Sequence, residues 1–474
     1  MTKTLLAWDL DELAVESAAA PFDCVVVGGG SAGLTTARTL AERGRRVAVL
    51  EAGPAPLLTN IFNTELRFSR ALTDSVRSQV QYGPSLPDGS QFGPNFGCLG
   101  GRGMFWNGTS PRFRGHDFAG WPLGPGDLAP YYEWAEREFR VSSRVGATRL
   151  ASAIIEALRG AGFDAVPCPF AADLEPVGEG RLSAGIASGL GVFLRGSGDA
   201  LASGAVRVCV ASPVARLLLS GGEVRGVTAS TGAGGAVREI LGRSVVLAAG
   251  GVESIRLAAV SGVPDPGGRI GVGIQDHIFY RCFFDGAHLY GGAPESAAAH
   301  VPSPARDAEQ WEIHAPGRRL FSVDDGSEWS PAAAEPYQLM ARAFAPTEKR
   351  DANRVECREG PPGSATVHFG YSPADEERKE SMRRQAERIA AALGLTRSGE
   401  GRFARPGGSY HEAGGLDMGT DRATSVTDPE GRFHLVPNLV CLDAAAWPRI
   451  GAASPHLTIV ALARRGAERL AARL

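Results

Sequence analysis

Apolar residues near the start of the chain form two short runs, and an amphipathic stretch separates them. Residues 24–27 and 47–50 are continuous apolar runs with the length and valine-rich composition that favour buried strands. Residues 31–43 have the composition of a helix, and Gly44 is a typical residue just past a helix C-terminus. The pattern therefore predicts a strand–helix–strand unit with parallel strands.

Three glycines lie where the first predicted strand turns into the helix. Gly28, Gly30 and Gly33 form G-x-G-x-x-G, a pattern that permits a tight turn, close backbone approach to a pyrophosphate and close helix–strand packing. The helix N-terminus then favours the phosphate charge. Glu51 ends the second strand, eighteen positions after Gly33, where a carboxylate accepts hydrogen bonds from an adenosine ribose. A lone glycine pattern is weak evidence, but the complete unit predicts an adenine dinucleotide site.

Further along the chain the pattern predicts more elements of both kinds. A helix capped by Asp127 is expected to run through Phe139, and strands on either side of Gly221 and Gly222 predict a hairpin. Residues 244–248 and 253–260 repeat the order strand, glycines, helix, but without a second G-x-G-x-x-G. One bound dinucleotide is therefore expected.

The region after residue 280 has a different pattern. Residues 280–346 combine predicted short strands with scattered prolines, and they do not continue the dinucleotide-binding pattern. Residues 374–393 predict a charged helix closed by Gly394, whose charges we interpret as a solvated face. Its predicted buried face consists of Met382, Ala386, Ile389 and Leu393.

Size and charge narrow the class of protein. A chain of 474 residues exceeds the size of a single hydrophobic core, so two domains are expected. The net charge of −3 gives no electrostatic signal for a nucleic-acid partner, and no apolar run is long enough to predict a membrane span. Residues 1–20 carry acidic groups where a secretory signal needs basic ones, and they favour a short amphipathic helix. Seven scattered cysteines indicate neither disulfides nor a metal site, so a cytoplasmic location is expected.

Two other segments carry candidate chemistry. In residues 97–113 small residues surround the aromatic pair Phe105 and Trp106, which suits either close backbone approach to a flat ligand or an ordinary surface loop. In the last quarter of the chain, His411 and His456 lie in glycine- and proline-rich turns on either side of an apolar strand, residues 439–442. A loop histidine is more often structural than catalytic, so the local pattern leaves both roles open.

Taken in order, these segments resemble the glucose–methanol–choline oxidoreductases, which bind FAD and oxidise alcohols. The resemblance covers nearly the whole chain, and its most specific part is the C-terminal quarter. The matching segments are the unit at 22–53, the loop with Trp106, Asn107 and Gly108, the triplet Gln275-Asp276-His277, and His411-x-x-Gly414-Gly415-x-x-Met418-Gly419, followed by Ser425-Val426-Thr427-Asp428 and Pro455-x-Leu457-Thr458.

The resemblance implies an α/β fold with two domains. The FAD-binding, Rossmann-like domain is expected to be assembled from residues 20–145, 201–279 and 410–474. The substrate-binding domain, of α+β type with an antiparallel sheet, is expected from residues 146–200 and 280–409.

The resemblance also implies a reaction and catalytic residues. His411 would take the proton of a substrate hydroxyl while a hydride moves from the carbon to flavin N5, a proton transfer that suits an imidazole. The family's second residue is an asparagine or histidine, and its asparagine position falls on Ser454. A serine cannot offer an amide's paired groups, so His456 is the preferred partner and Ser454 the alternative. His277 and Asp276 are interpreted as mainly structural.

The resemblance implies a set of FAD contacts distributed along the chain. Flavin attachment in some relatives uses a histidine at the position of Phe105, so the FAD is expected to be non-covalent. The expected contact residues are Gly28, Gly30, Ser31, Ala32, Gly33, Glu51, Ala52, Gly101, Arg102, Met104, Asn107, Val214, Ala249, Asp443 and Thr458.

The substrate and the electron acceptor are less constrained. Acidic residues outnumber basic ones in residues 280–346, which favours a polar sugar, aminosugar or polyol, although surface solvation explains the same acids. The acceptor is left open between dioxygen, a quinone and other acceptors. A redox-silent hydroxynitrile lyase on the same fold and a non-catalytic FAD-binding protein are the alternative functions. The acids are Asp285, Glu295, Asp307, Glu309, Glu312, Asp324, Asp325, Glu328 and Glu335.

Overall fold

The computed structural model describes residues 6–64, 66, 70–144, 148–176, 182–232, 235–291, 296–316, 337–397 and 399–474. The α-helices within these residues are α1 (Leu10–Ala19), α2 (Ser31–Glu42), α3 (Arg70–Val80), α4 (Pro125–Glu138), α5 (Arg149–Gly160), α6 (Gly189–Ser203), α7 (Gly251–Val260), α8 (Pro373–Ala392) and α9 (His456–Ala471). The strands are β1 (Phe22–Val27), β2 (Val47–Leu50), β3 (Gln81–Tyr82), β4 (Asn95–Phe96), β5 (Val141–Ser142), β6 (Val166–Pro167), β7 (Phe170–Pro176), β8 (Leu182–Ile186), β9 (Val206–Cys209), β10 (Val214–Ser220), β11 (Glu223–Ser230), β12 (Val237–Leu247), β13 (His277–Asp285), β14 (Ser296–Val301), β15 (Gln310–Pro316), β16 (Gln338–Pro346), β17 (Arg354–Cys357), β18 (Ala365–His368), β19 (Thr396–Arg397), β20 (Arg402–Phe403), β21 (Arg432–Phe433) and β22 (Val436–Cys441).

The predicted strand–helix–strand unit forms the centre of the larger sheet. β1 pairs in parallel with β2 on one side and with β12 on the other, and β9 and β22 extend the parallel part. Residues of β1 and β2 are buried on both faces, which explains why these strands read as continuous apolar runs. The predicted hairpin is confirmed, since β10 and β11 pair in antiparallel fashion around Gly221 and Gly222.

A second, antiparallel sheet has the described strand order β19-β13-β16-β15-β14-β6, with β20 also pairing with β13. Its side chains alternate between two faces, as expected for strands. One face, with Tyr280, Trp311 and Leu339, shares a hydrophobic core with residues of α5 and α8. The other face presents Phe279, Arg342 and Phe344 to a cavity that the glycines of the first unit also line. The fold is therefore the expected α/β type with an additional antiparallel sheet, whereas the five domain segments stay a prediction.

Three local predictions are wrong. α4 begins at Pro125, and Asp127 is its third residue rather than its cap, since its carboxylate accepts the Gly124 N–H at 2.8 Å. Proline tolerates the first turn because it has no N–H to leave unpaired there. His456 is the first residue of α9 rather than part of a turn. The strands β13 and β16 are nine residues long rather than short.

Two absences apply to the described residues alone. None of their helices has both the length and the apolar character needed to cross a membrane. Nor do they contain a group of three or more His, Cys, Asp or Glu side chains suited to a metal ion. All seven cysteines are free thiols, and every one except Cys357 is buried.

Candidate active site

The three G-x-G-x-x-G glycines differ in what surrounds their Cβ positions, and close approaches require glycine at two of them. A Cβ atom on Gly28, whose φ is +104°, would lie 2.4 Å from the Ala248 carbonyl oxygen of the neighbouring strand. A Cβ on Gly33 would lie 1.9 Å from the Gly28 carbonyl oxygen, so the helix packs directly on the turn. Gly30 has no protein atom within 4 Å of its Cβ position, and it lines the cavity. The motif thus leaves open space where a pyrophosphate would approach the helix N-terminus.

Glu51 lies at the end of β2 with its carboxylate held by the backbone. The Gly29 N–H donates to Oε2 at 2.8 Å, and the Gly53 N–H donates to Oε1 at 3.0 Å. Burial outweighs these hydrogen bonds and raises the pKa of Glu51 to about 7. Each carboxylate oxygen retains a lone pair, so Glu51 is able to accept hydrogen bonds from ribose hydroxyls as well.

One cavity brings most of the predicted site residues together. Three predicted FAD contacts, Gly33, Met104 and Thr458, do not line this cavity. Gly33 is covered by Gly28, and the Thr458 hydroxyl hydrogen-bonds to the Tyr132 hydroxyl at 2.7 Å. The predicted residues that line the cavity are Gly28, Gly30, Ser31, Ala32, Glu51, Ala52, Gly101, Arg102, Asn107, Val214, Ala249, His411, Asp443, Ser454 and His456.

The cavity surface has unpaired polar atoms that an FAD molecule is able to pair with. The buried Asn95 Nδ2 and His456 Nδ1 both lack a hydrogen-bond partner among the described residues, and both residues line the cavity. Buried polar atoms are rarely left unpaired in proteins, so a bound group with polar atoms is expected here. Asp443 meets the same cavity and is already held, since it accepts the Gly250 N–H at 2.9 Å and the Ser254 hydroxyl at 2.6 Å.

An ion pair joins the glycine-rich loop to the loop of His411. Arg102 lies in a short 3-10 helix, Gly101–Met104, and donates to the Tyr410 carbonyl oxygen at 2.8 Å. Its guanidinium also lies 2.5 Å from the carboxylate of Glu412, which is almost fully buried. Tyr410 has φ +61°, a left-handed conformation that is uncommon for a residue other than glycine. These contacts fix the backbone on both sides of His411.

His411 is held by a neighbouring histidine and by its own loop. Its Nδ1 lies 2.8 Å from Nδ1 of His277, and its backbone N–H donates to the Ser409 hydroxyl oxygen at 3.1 Å. The Ser409 hydroxyl in turn donates to the carboxylate of Asp276. Burial, followed by the nearby His277 and Arg102, lowers the pKa of His411 well below its ordinary value. His411 is therefore a neutral imidazole at neutral pH and is able to accept a proton.

The two candidates for a second catalytic residue have different neighbours. The Nε2 of His456 lies 2.9 Å from the Ser31 hydroxyl, and its ring stacks on Trp106 at 3.8 Å between centroids. Burial lowers the pKa of His456 to about 3. Ser454 instead donates to Glu312 Oε1 at 3.2 Å. His456 thus lies beside the glycine turn and Ser454 beside the antiparallel sheet, and the role of each in catalysis stays a prediction.

A buried polar cluster next to Ser454 was missed by sequence reasoning. Glu312 on β15 is fully buried and accepts hydrogen bonds from Arg342 Nε at 2.7 Å and from His314 Nε2 at 3.1 Å. Burial opposes its charge, but Arg342 and His314 outweigh burial and hold the pKa of Glu312 well below its ordinary value. The signal was the alternation along β15, in which Gln310, Glu312 and His314 share one face. Such a polar face is usually solvated, but here it is buried.

Replacing Glu312 with glutamine is expected to destabilise the protein by about 3–5 kcal/mol, because it removes the carboxylate that compensates the Arg342 charge in this buried cluster. The free energy of unfolding in urea measures this loss. Glu356→Gln is the matched control, since Glu356 forms an exposed pair with His368 and is expected to leave the urea midpoint unchanged. Equal midpoints for the two variants would show that the buried ion pair contributes little.

Two family models match separate segments of this chain. A family model described as GMC oxidoreductase matches residues 350–463, and one described as FAD dependent oxidoreductase matches residues 23–64. The first match contains His411, Ser454 and His456, and the second contains the glycine turn and Glu51.

Two curated relatives and one solved structure align with nearly the whole chain. Paromamine 6'-oxidase of Streptomyces fradiae is 28% identical, with 95% of this chain and 91% of that protein covered. The 6'''-hydroxyparomomycin C oxidase of Streptomyces lividus is 26% identical over 96% of this chain and 92% of that protein. The structure of pyridoxine 4-oxidase from Mesorbium loti superposes with a TM-score of 0.69 at 19% identity, covering 94% of this chain and 99% of that one.

Proposed function

Because this chain belongs to the glucose–methanol–choline oxidoreductases and is an FAD-dependent enzyme acting on alcohols, we propose that it oxidises a CH–OH group of a sugar or aminosugar to a carbonyl. His411 is the base in this proposal. The observation that carries it is the position of a neutral, partly buried imidazole in the same cavity as the dinucleotide-binding glycines. A base in this cavity is within reach of a substrate hydroxyl that lies beside the cofactor.

The residues of this chain supply the proton chemistry and the orientation of the substrate. FAD, when bound, supplies the acceptor for the hydride that leaves the carbinol carbon. His411 accepts the hydroxyl proton, and His277 holds its ring in place. Arg102 and Arg342 line the same cavity as ion pairs with Glu412 and Glu312, and they offer N–H donors rather than free positive charge to a substrate oxygen.

The cavity face of the antiparallel sheet supports a polar, ring-shaped substrate. Phe279 and Phe344 stack at 4.6 Å between ring centroids and present a flat apolar surface. Arg342 and Ser454, which also line the cavity, add polar groups next to it. A few polar groups on a mostly apolar surface are typical of small-molecule sites. Aminosugars are the first class to test, because relatives aligned over nearly the whole chain are oxidases of paromamine and hydroxyparomomycin C.

The acids that favoured an amine-bearing substrate give less support than their number suggests. Glu295, Asp324, Asp325, Glu328 and Glu335 lie outside the described residues. Glu312 contacts the cavity residue Ser454, but its charge is already paired with Arg342. The proposal of an aminosugar therefore rests on the relatives and on the cavity rather than on these acids.

FAD is expected to be released intact when the protein is denatured. Phe105 occupies the position of the attaching histidine, and its ring packs against Phe96 at 4.9 Å between centroids. A phenylalanine ring has no nucleophilic atom for a bond to the flavin. Acid precipitation of the yellow protein should leave a colourless pellet and a yellow supernatant. A yellow pellet would reveal a covalent bond elsewhere on the chain.

An anaerobic absorbance scan tests the proposed reaction. The purified protein with FAD bound is mixed with sugars, aminosugars, aliphatic alcohols and sterols, and the oxidised flavin band is followed. Bleaching by a sugar or aminosugar supports the proposal, and rapid recovery of the band in air identifies dioxygen as the acceptor. Bleaching by apolar alcohols alone would contradict the proposed substrate class. Unchanged flavin together with cleavage of a hydroxynitrile would favour the lyase.

A further inference from the structure

His277, the first residue of β13, has hydrogen-bond contacts at both ring nitrogens. Its Nδ1 lies 2.8 Å from Nδ1 of His411, and its Nε2 lies 2.5 Å from the Gly451 carbonyl oxygen. The two imidazole planes are almost perpendicular, at 87°. His277 therefore connects His411 to a fixed backbone acceptor on the opposite side.

The donors and acceptors in the contacts His411–His277–Gly451 allow one arrangement of protons when both imidazoles are neutral. A carbonyl oxygen only accepts, so Nε2 of His277 must carry the hydrogen that is donated to Gly451. A neutral imidazole has one N–H, so Nδ1 of His277 accepts, and Nδ1 of His411 must donate to it. In a neutral His411 the remaining nitrogen, Nε2, then bears the lone pair. The opposite arrangement places two acceptors 2.5 Å apart at Gly451.

A doubly protonated His277 would also donate at both nitrogens, but its surroundings oppose it. Burial is the largest cause that lowers the pKa of His277 to about 4. The His277 imidazole is therefore neutral at neutral pH, as the assignment of protons above requires.

We propose that His277 is a positioning residue that holds His411 in the tautomer with the proton on Nδ1 and the accepting lone pair on Nε2. The catalytic relevance of this tautomer rests on the proposed function of His411 as the base. The tautomer itself depends only on the three groups in contact.

The fold fixes the far end of this contact chain. The Ala452 N–H donates to Asp117 Oδ1 at 3.1 Å, and a Cβ atom on Gly451 would lie 2.8 Å from Asp117 Cγ. On the other side, the Ile450 N–H donates to Gln275 Oε1 at 3.3 Å. Because residues on both sides of Gly451 are held, its carbonyl remains aimed at His277.

The tautomer of His411 decides whether the residue is able to act as a base. In the tautomer with the proton on Nε2, that nitrogen would carry a hydrogen and would not accept one from a substrate.

The tautomer is measured directly by NMR. The protein with FAD bound is labelled with ¹⁵N-histidine, and long-range ¹H–¹⁵N correlations distinguish Nδ1–H from Nε2–H rings. The chain has nine histidines, so the His411→Asn variant identifies the His411 signals by their loss. We expect His411 as the Nδ1–H form and His277 as the Nε2–H form in the unchanged protein. His411 in the Nε2–H form would overturn the proposal, whatever substrate the enzyme proves to use.

Two variants of His277 then test its effect on the reaction. His277→Asn keeps an acceptor close to the position of Nδ1, whereas His277→Phe keeps a ring and removes the acceptor. We expect His277→Phe to slow anaerobic flavin reduction roughly 10²-fold with little change in KM, and His277→Asn to stay within about tenfold of the original rate. The His411 signal should move to the Nε2–H form only in His277→Phe. Equal rate losses in both variants, with the His411 tautomer unchanged, would show that His277 is merely structural.

Failure of this proposal differs from failure of the proposed function. If His411 is not the base, His411→Asn leaves the flavin reduction rate intact while the NMR experiment still reports its tautomer. If His411 is the base but its tautomer is fixed by another group, His411→Asn slows flavin reduction by roughly 10²–10⁴-fold and His277→Phe leaves the rate unchanged. The FAD content of each variant, measured by absorbance, shows whether its fold is retained.

Discussion

Replacement of His411 by asparagine is expected to slow anaerobic flavin reduction by roughly 10²–10⁴-fold, the usual contribution of a general base. Asparagine removes the only group in the proposed mechanism that takes the hydroxyl proton. The residue lies in the cavity between Phe344 and His277, and it makes no contact with the glycine turn in the described contacts. FAD binding and the unfolding temperature should therefore change little. Stopped-flow absorbance with the best substrate from the anaerobic scan gives the rate.

His368→Gln is the matched control for this result. His368 is a partly exposed histidine on β18 that pairs with Glu356, and it does not line the cavity. Its replacement should leave the rate of flavin reduction unchanged. A His411→Asn rate close to that of the control would show that another group takes the proton, and it would restore the non-catalytic interpretation of this loop.

The second large effect is expected within the glycine motif. Gly33→Ala places a methyl group 1.9 Å from the Gly28 carbonyl oxygen, a distance that forces the helix away from the turn. Such overpacking costs about 1–3 kcal/mol and occasionally more, and it deforms the FAD site directly. We expect Gly33→Ala to be less stable and to purify with little or no flavin. Thermal unfolding of the flavin-free protein and the ratio of flavin to protein absorbance measure the two effects.

Gly30→Ala separates stability from cofactor binding in the same motif. Its Cβ position has no protein atom within 4 Å, and its φ of −77° suits any residue. The flavin-free protein should therefore unfold at the same temperature as the unchanged one. FAD affinity should fall, because the methyl group occupies space beside the expected pyrophosphate. Unaltered FAD affinity in Gly30→Ala would mean that the phosphates bind elsewhere along the cavity.

Local sequence patterns predicted the parts of the fold whose causes are local. β1, α2 and β2 follow from apolar runs, helix composition and glycines that lie within about thirty residues of one another. The α8 helix was predicted with its buried face because its apolar spacing matches the helix period. Its predicted buried residues, including Met382 and Ile389, are all buried. The position of Asp127 was predicted wrongly because aspartate is favoured both as the N-cap of a helix and as the third residue of its first turn. At the third position its carboxylate accepts the N–H of the capping residue.

The composition of the site was less predictable because its decisive contacts join distant segments. The partner of His411 is His277, which lies 134 positions earlier, and no periodicity links the two. Glu312 and Arg342 meet across paired strands, and that register depends on the antiparallel sheet rather than on either strand alone. The resemblance in motif order predicted that His411 and the glycine turn belong to the site, whereas it interpreted Asp276 and His277 as mainly structural. Their contacts to the His411 loop appear only in three dimensions.

The order of the central sheet has a consequence for biosynthesis. β22 completes the sheet beside β12, and Asp443 and His456 then close the cavity that Gly30 opens. At a synthesis rate of roughly 5–20 residues per second, the interval between the making of Gly30 and that of Asp443 is roughly 20–80 s. During that time the nascent chain carries exposed edges of parallel strands, which pair slowly because their partners are distant in sequence. We therefore expect FAD capture only after Asp443 and His456 have been made, and only from then on does cofactor binding stabilise the folded chain.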